Sequence, residues 1–424
     1  MHVELTETQR QLRDTVRAFA QERVKPSAAE TDRAERFPHE IVAELGRLGI
    51  LGCFVPERFG GAGFDYVAYA VAVEELSVAC AATGVIFSAH ASLATWPILA
   101  LGTDAQRARY LPKMASGEWL GCFALSEPSS GSDAGSIRTV ARRDGDAYVL
   151  DGSKNFITNG PDAGVAIVFA SLDPAQGNKA LAAFIVETSS PGWEVIRVEQ
   201  KMGIRGAHSA QIALADLRIP CTNLLGQESD GLKIAMKTLD GGRIGIAAQA
   251  VGIARAALED ALAYAQERRA FGQALVEFQG TQWRLADMAT AVEAARLLTL
   301  RAASLKDRGL PYTREAATAK LYAAETAMTL ATRRRRALDE LQRDRQPVAR
   351  HEDLHPHAER RRGVHGQPRA PQQARHATVF EEPLHQVRFR RGRRGVAGAP
   401  AHAPRASRSS WLAITIRWIS DVPS

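Results

Sequence analysis

The sequence predicts an α+β protein of several domains, helical at both ends and antiparallel β in the middle, followed by a tail of different character. Three observations carry this reading. Apolar residues recur at helical spacing through roughly the first 115 residues. From Trp119 to about Pro220, short apolar runs broken by turn pairs take over. Helical spacing then returns from Gly231. The expected parts are an N-terminal helical domain (1–117), a middle β domain (118–228), an incomplete helical bundle (229–332) and an aberrant tail (333–424).

Thr6-Glu7-Thr8-Gln9 is a capping box, and Leu12, Val16, Phe19 and Ala20 follow on one helical face. A second helix is expected over Pro38 to Leu48, ending near Gly49. Pro56 to Gly63 is a loop, because its run of small residues favours no regular element. Tyr66 to Cys80 and Val85 to Leu101 are helices, and His90 on the second reads as a packed core histidine. Asp144-Gly145 and Asp151-Gly152 are expected as hairpin turns. Val165 to Ala170 and Ala180 to Val186 are short apolar strands, and Trp193 to Val198 alternates as a half-buried strand would. Ile244 to Arg268, Gln279 to Leu305 and Tyr312 to Leu330 are the later helices.

The 424 residues carry a formal charge of +7, but unevenly. From Ala331 onward there are 20 Arg, no Lys and nine acidic residues, leaving 34 basic and 38 acidic groups before it. The basic character therefore belongs to the tail, and the body is expected to bind neither membranes nor nucleic acid. Four separated cysteines without a CxxC pair argue against a zinc site or disulfide framework. The start of the chain has no apolar leader segment, and no 18-residue apolar run is read anywhere. These features together give a cytoplasmic protein. Neither a GxGxxG turn after a strand nor a GxxxxGK[ST] loop is present, so no dinucleotide or P-loop site is expected.

The chemistry concentrates in two clusters. Leu125-Ser126-Glu127-Pro128-Ser129-Ser130-Gly131-Ser132-Asp133 follows an apolar approach and is rich in hydroxyls and bare amides. Asn155-Phe156-Ile157-Thr158-Asn159-Gly160 sets an aromatic and a hydroxyl two apart on a strand-like run. An aromatic face with hydroxyl donors suits a flat cofactor with polar edges. By residue type alone, ordinary Ser/Gly turns are the competing reading. In their order and spacing the two clusters closely resemble the flavin-binding motifs of the acyl-CoA dehydrogenase family, and the resemblance runs from the first helix to about Leu330.

That resemblance implies a helical domain, a β-barrel and a helical bundle holding flavin adenine dinucleotide (FAD). It assigns Phe123, Leu125 and Ser126 to the flavin, Phe156 to its ring face, and Thr158 to a hydrogen bond near N5. Ser132, Asp240 and Arg243 fall at substrate-binding positions. A third match, Glu267-Arg268-Arg269-Ala270-Phe271-Gly272 with Gln279, implies that Arg268, Phe271 and Gln279 reach the flavin of a neighbouring subunit in a homodimer or homotetramer. The planar fork of arginine suits a diphosphate. The implied reaction is α,β-dehydrogenation of an acyl-CoA thioester, with electrons passing to electron-transfer flavoprotein. His90-Ala91-Ser92-Leu93 followed by Pro97-Ile98 resembles the short-chain members. An acyl-CoA oxidase or enoyl-CoA reductase of the same superfamily is the alternative enzyme. A non-catalytic flavin- or nucleic-acid-binding protein using the tail is the alternative of another kind.

The catalytic base is unassigned. Some family members carry it at the position of Gly242, and glycine cannot act as one. Others carry a glutamate in a C-terminal Tyr-Glu-Gly-Thr-like motif, which is absent. Instead the chain runs into Arg333-Arg334-Arg335-Arg336 and a stretch holding seven of its 11 histidines. Under one choice of codons, Glu352 to His357 read one base later gives Lys-Ile-Tyr-Thr-Leu-Thr, which resembles the segment before that glutamate. A shifted reading frame accounts for the tail on this view. Glu352 and Glu359 are the nearest carboxylates in sequence, with no motif around them.

Overall fold

The computed structural model describes residues 4–343, without the side chains of 333–343. Helix α1 (Glu7–Phe19) begins at the expected box: the Thr6 hydroxyl accepts from the Gln9 N–H, and the Gln9 side chain accepts from the Thr6 N–H. A π turn at Ala20–Val24 carries the chain into α2 (Lys25–Arg33). Helix α2 was not expected, because Thr31 is its single buried residue and no apolar stripe marks it. Helices α3 (His39–Arg47) and α4 (Tyr66–Ala79) lie where they were expected, and Gly49 leaves α3 at φ +73°. Next come α5 (Ala81–Ser88), α6 (Trp96–Leu101) and α7 (Asp104–Ser116), the first two joined by a π segment, Ala89–Thr95.

One expectation is corrected here. Ala81–Leu101 spans 21 residues with a mean hydropathy of 1.5, long and apolar enough to cross a membrane. Of an 18-residue window within it, 67% is buried inside the protein, so its apolar surface serves the core.

The middle strands are β1 (Gly121–Ala124), β2 (Val140–Asp144), β3 (Ala147–Thr158), β4 (Val165–Ser171), β5 (Leu181–Glu187), β6 (Trp193–Val198), β7 (Ser209–Pro220) and β8 (Leu224–Leu225). Their order is β6-β7-β3-β2-β4-β5-β8, with β1 on β4. Most ladders are antiparallel, as expected, but β1 runs parallel to β4 over four residue pairs. Asp144-Gly145 opens the β2–β3 hairpin. Asp151-Gly152 does not turn the chain. It forms a register shift inside β3, where a side chain on Gly152 would strike the Thr139 backbone at 2.8 Å.

β4 and β5 are buried on both faces. Val165, Ile167 and Phe169 join the helical core, while Ala166, Val168 and Ala170 join a core that the sheet wraps around itself. That explains their continuous apolar reading. β6 departs from expectation: instead of being half-buried, it is an edge strand with Val195, Ile196 and Val198 all exposed.

Helix α8 (Gly231–Glu267) is one rod of 37 residues. A short hairpin, β9 (Arg269–Ala270) and β10 (Gln273–Ala274), leads to α9 (Gln279–Asp307) and α10 (Thr313–Arg343). Gly252 lets α8 close on α4, since a Cβ there would lie 2.6 Å from the Glu74 carbonyl oxygen. The contact is stitched by buried charge. Arg255 bonds both Glu74 and Glu75, Arg296 of α9 reaches Glu74 at 2.9 Å, and Arg17 of α1 reaches Glu75 at 3.1 Å.

A second clasp ties the N-terminal helices to the sheet. Asp162 accepts from His208 Nδ1 at 2.9 Å and lies 3.4 Å from His39 Nε2, and both imidazoles pack on Phe37. Nearby, Arg205 bonds Asp32 at 3.0 Å. The hydrogen bond to Asp162 raises the His208 pKa above its ordinary value. Stability from a raised histidine is complete below the unfolded pKa, about 6.5, and is lost as pH climbs through the folded one. The melting temperature is therefore expected to fall by about 1–3 °C across that window. The His208→Asn variant should lose this slope, and an unchanged slope would show that the clasp contributes nothing.

Candidate active site

β1 begins under His90, whose Nδ1 accepts from the Gly121 N–H at 2.9 Å. Burial pushes the imidazole down to about 4, so it stays neutral, a packed core histidine as expected. β1 delivers Phe123, Leu125 and Ser126, and Phe123 is braced edge-on against Phe169 at 5.0 Å. The chain then folds tightly, with Glu127 and Ser130 exchanging backbone hydrogen bonds across Pro128-Ser129. Facing this, the β3–β7 register shifts between Lys154 and Ile157. The resulting bulge holds Phe156 at φ +58° with 66% of its surface exposed. A bulky side chain held in the left-handed region costs on the order of 1–3 kcal/mol and marks functional sites. Asn159, which follows the strand, is fixed by its amide to the carbonyls of Ile86 and Gly121.

Between these segments and α8 lies a cavity of about 570 Å³. Phe123, Leu125, Ser126, Ser132 and Phe156 line it together with Arg243. A smaller cavity of about 200 Å³ carries Thr158, Ser92, Leu93 and Gly242. Leu239 and Arg243 border both, so the two adjoin. The structure thus gathers seven of the eleven assigned residues. Asp240 lines neither cavity; it holds Arg243 and accepts from the Thr313 hydroxyl at 2.6 Å. Gly242 faces Leu93, and a Cβ on it would come 2.6 Å from the Leu93 Cδ2 methyl.

Arg268, Phe271 and Gln279 line neither cavity. Arg268 follows α8 with its Nε buried and unpartnered. Phe271 and Gly272 form the β9–β10 turn at φ +50° and +85°, which leaves Phe271 97% exposed.

Sequence reasoning missed one pair. The Lys154 ammonium, fully buried, lies 2.7 Å from Glu127 Oε1. Burial pulls Lys154 down to about 8 against the attraction of Glu127. Burial also pushes the Glu127 carboxyl up, but Lys154, the Thr139 hydroxyl and the Arg138 N–H outweigh it and hold it below its usual value. Opposite charges twenty-seven positions apart, one in the turn after β1 and one on β3, leave no local pattern, so only their place inside the two motifs hinted at them.

The residues present suit a flat, polar-edged cofactor. Among the described residues the hydroxyls of Ser126, Ser132 and Thr158 make no hydrogen bond, and a buried Asn155 Oδ1 also lacks a partner. A free-standing aromatic beside unspent donors is a binding surface. Among the described residues no carboxylate lines the smaller cavity, and Asp133, in the larger, accepts from Ser136.

Comparison with known proteins agrees along the body of the chain. Residues 6–118, 122–217 and 229–337 match the N-terminal, middle and C-terminal domains of acyl-CoA dehydrogenase. A short-chain specific acyl-CoA dehydrogenase of Clostridium acetobutylicum is 49% identical over 333 residues, 78% of this chain and 88% of that one. The structure of butyryl-CoA dehydrogenase from Megasphaera elsdenii is similar at TM-score 0.79 and 41% identity, covering 83% and 93%. A structure from work on the electron transferring flavoprotein of Acidaminococcus fermentans gives 0.78 and 44%, covering 79% and 88%. A Mycobacterium smegmatis glutaryl-CoA dehydrogenase in complex with FADH2 gives 0.74 and 32%, covering 79% and 85%.

Proposed function

The chain belongs to the acyl-CoA dehydrogenase family, and on that premise we propose that its two adjoining cavities hold a short-chain acyl-CoA against FAD. The reaction is α,β-dehydrogenation of the thioester, and the enzyme is an FAD-dependent oxidoreductase. The observation that carries the reading is the junction itself: Leu239 and Arg243 border both the flavin-motif cavity and the small apolar one that Thr158 lines. At about 200 Å³ the latter falls below the roughly 300–1,000 Å³ of pockets for drug-sized ligands, which favours a short acyl chain.

When bound, the flavin supplies the acceptor for the β hydrogen, which leaves as hydride. Thr158 and Ser126 have hydroxyls free to hold its polar edge, and the exposed Phe156 ring can cover its face. Ser132, Asp240 and Arg243 are the groups for the thioester's CoA arm, with Asp240 fixing the guanidinium of Arg243. Electrons pass onward to electron-transfer flavoprotein. The experiment is reconstitution with FAD followed by titration with butyryl-CoA and octanoyl-CoA. A yellow protein whose flavin spectrum responds to the shorter thioester at lower concentration is expected. A chain that takes up no flavin would overturn the proposal.

Arg268, Phe271 and Gln279 serve the flavin of a second copy in a homodimer or a tetramer built from dimers. An aromatic left in water and an arginine with an unspent Nε support this. Arg268→Ala is expected to weaken flavin retention and subunit association together, since each charge-assisted hydrogen bond is worth about 1.5–3 kcal/mol. Sedimentation and flavin release measured on the same sample decide it, and no change in either refutes the placement.

A further inference from the structure

We propose that the buried Glu127–Lys154 pair is a positioning device that sets the two flavin-facing segments, Leu125–Ser126 and Asn155–Thr158, at a fixed separation. This rests on the flavin reading above.

The geometry is that of a knot with four strands of bonding. Glu127 Oε1 accepts from Lys154 Nζ at 2.7 Å, from the Thr139 hydroxyl at 2.6 Å and from the Thr139 N–H at 3.1 Å. Oε2 accepts from the Arg138 N–H at 2.7 Å. One carboxylate therefore closes both ends of the hydroxyl-rich loop, 127–139, on which Ser132 sits. Lys154 Nζ also reaches the Leu125 carbonyl at 3.4 Å, and the Asn155 N–H donates to the Ser126 carbonyl at 2.8 Å. Lys154 is the last residue of β3 in register before the bulge that turns Phe156 outward. Moving Lys154 shifts the aromatic platform and the Ser126 segment relative to each other.

Stability alone does not account for such a pair. Taking two charges out of water costs about as much as their attraction returns, and a well-packed apolar pair is often as stable. An apolar pair cannot aim four polar groups at one point. What the ions add is direction, at the place where two segments must meet one ligand.

The test compares the charge-neutral double variant Glu127→Gln/Lys154→Met with the wild-type chain. Gln keeps the size of the side chain and one acceptor oxygen for the backbone N–H groups of Arg138 and Thr139, and Met keeps the length of the lysine stem. Three readouts are taken: apoprotein melting, FAD dissociation constant by fluorescence, and the fine structure of the visible flavin band. The expected result is apoprotein melting within a few degrees of wild type and FAD bound about 10- to 100-fold more weakly, the range for losing groups that orient primary ligands. A changed band shape should accompany it. Arg255→Met is the control, because it destabilises the fold without touching this site; its FAD affinity at a temperature where it is folded should match wild type. Equal affinity and an equal band in the double variant overturn the proposal. So does a collapse of apoprotein stability with affinity in proportion, which would make the pair merely structural. If the wild-type chain binds no FAD, it is the flavin reading that fails.

Discussion

Mixed anaerobically with butyryl-CoA, the 424-residue chain is expected to bleach its flavin at least about 10²–10⁴-fold more slowly than a chain carrying the base, the usual contribution of a positioned general base. The argument is local. The α proton of a thioester is weakly acidic, and a carboxylate has to stand over it. Among the described residues the smaller cavity has Lys320 and Arg243 as its charged lining and no carboxylate. The resemblance read from the sequence implies that Gly242 takes one family position for the base and that the other falls in the tail, where Glu352 and Glu359 lie outside the described residues. The DNA around codons 330 to 365 tests the frame directly. Recovery of bleaching when the frame is restored supports the account, and fast bleaching by the chain as written sinks it. A second route follows from the structure. Gly242→Glu with Leu93→Ala makes room for a carboxylate, because the far end of the Leu93 side chain is what a Cβ at 242 meets. That variant is expected to regain part of the rate.

The largest stability effect is expected at Arg255. Its guanidinium is 16% exposed and bridges Glu74 and Glu75, which are 3% and 1% exposed. Arg255→Met leaves two buried carboxylates sharing Arg296 and Arg17, on two other helices. Removing one partner of a buried ionic group costs about 3–5 kcal/mol, whereas replacing the whole group by apolar residues can be neutral. Thermal unfolding should drop on the order of 10 °C for the single variant. The variant Glu74→Gln/Glu75→Gln/Arg255→Met should recover much of it. If the triple variant melts no higher than the single one, the loss is one of packing and the charges are incidental.

Helices α1 and α3 were legible because their burial is one-sided. Leu12, Val16 and Phe19 mark α1 by period alone, and its capping box fixed the start. α2 was not, since a helix that buries only Thr31 leaves no apolar stripe to read. Asp151-Gly152 misled for a different reason. Turn chemistry in a sequence states what the backbone tolerates, and here the small residue serves close approach to Thr139 inside a strand. The parallel pairing of β1 with β4 had no signature either, because residues forty-four positions apart make it. At the site, Ser126, Phe156 and Thr158 were legible as motif residues, and the structure brings them to adjoining cavities. The bulge that aims Phe156 was not, because it depends on the register of β7. Glu127 and Lys154 were hidden by the same long-range dependence.

The open edge at β6 bears on how the protein behaves in concentrated solution. Among the described residues β6 pairs on one side only, and a strand with unpaired backbone groups and exposed Val195, Ile196 and Val198 is a template for adding another strand. Glu194, Arg197 and Glu199 punctuate it, and the ladder is broken between Val195 and Arg197. Charges flanking an apolar strand act as gatekeepers, and a bulge twists the edge away from a flat partner. Solubility of the chain is thus guarded by two ionic side chains on β6 and a third just past its end, and salt that screens them loosens that guard.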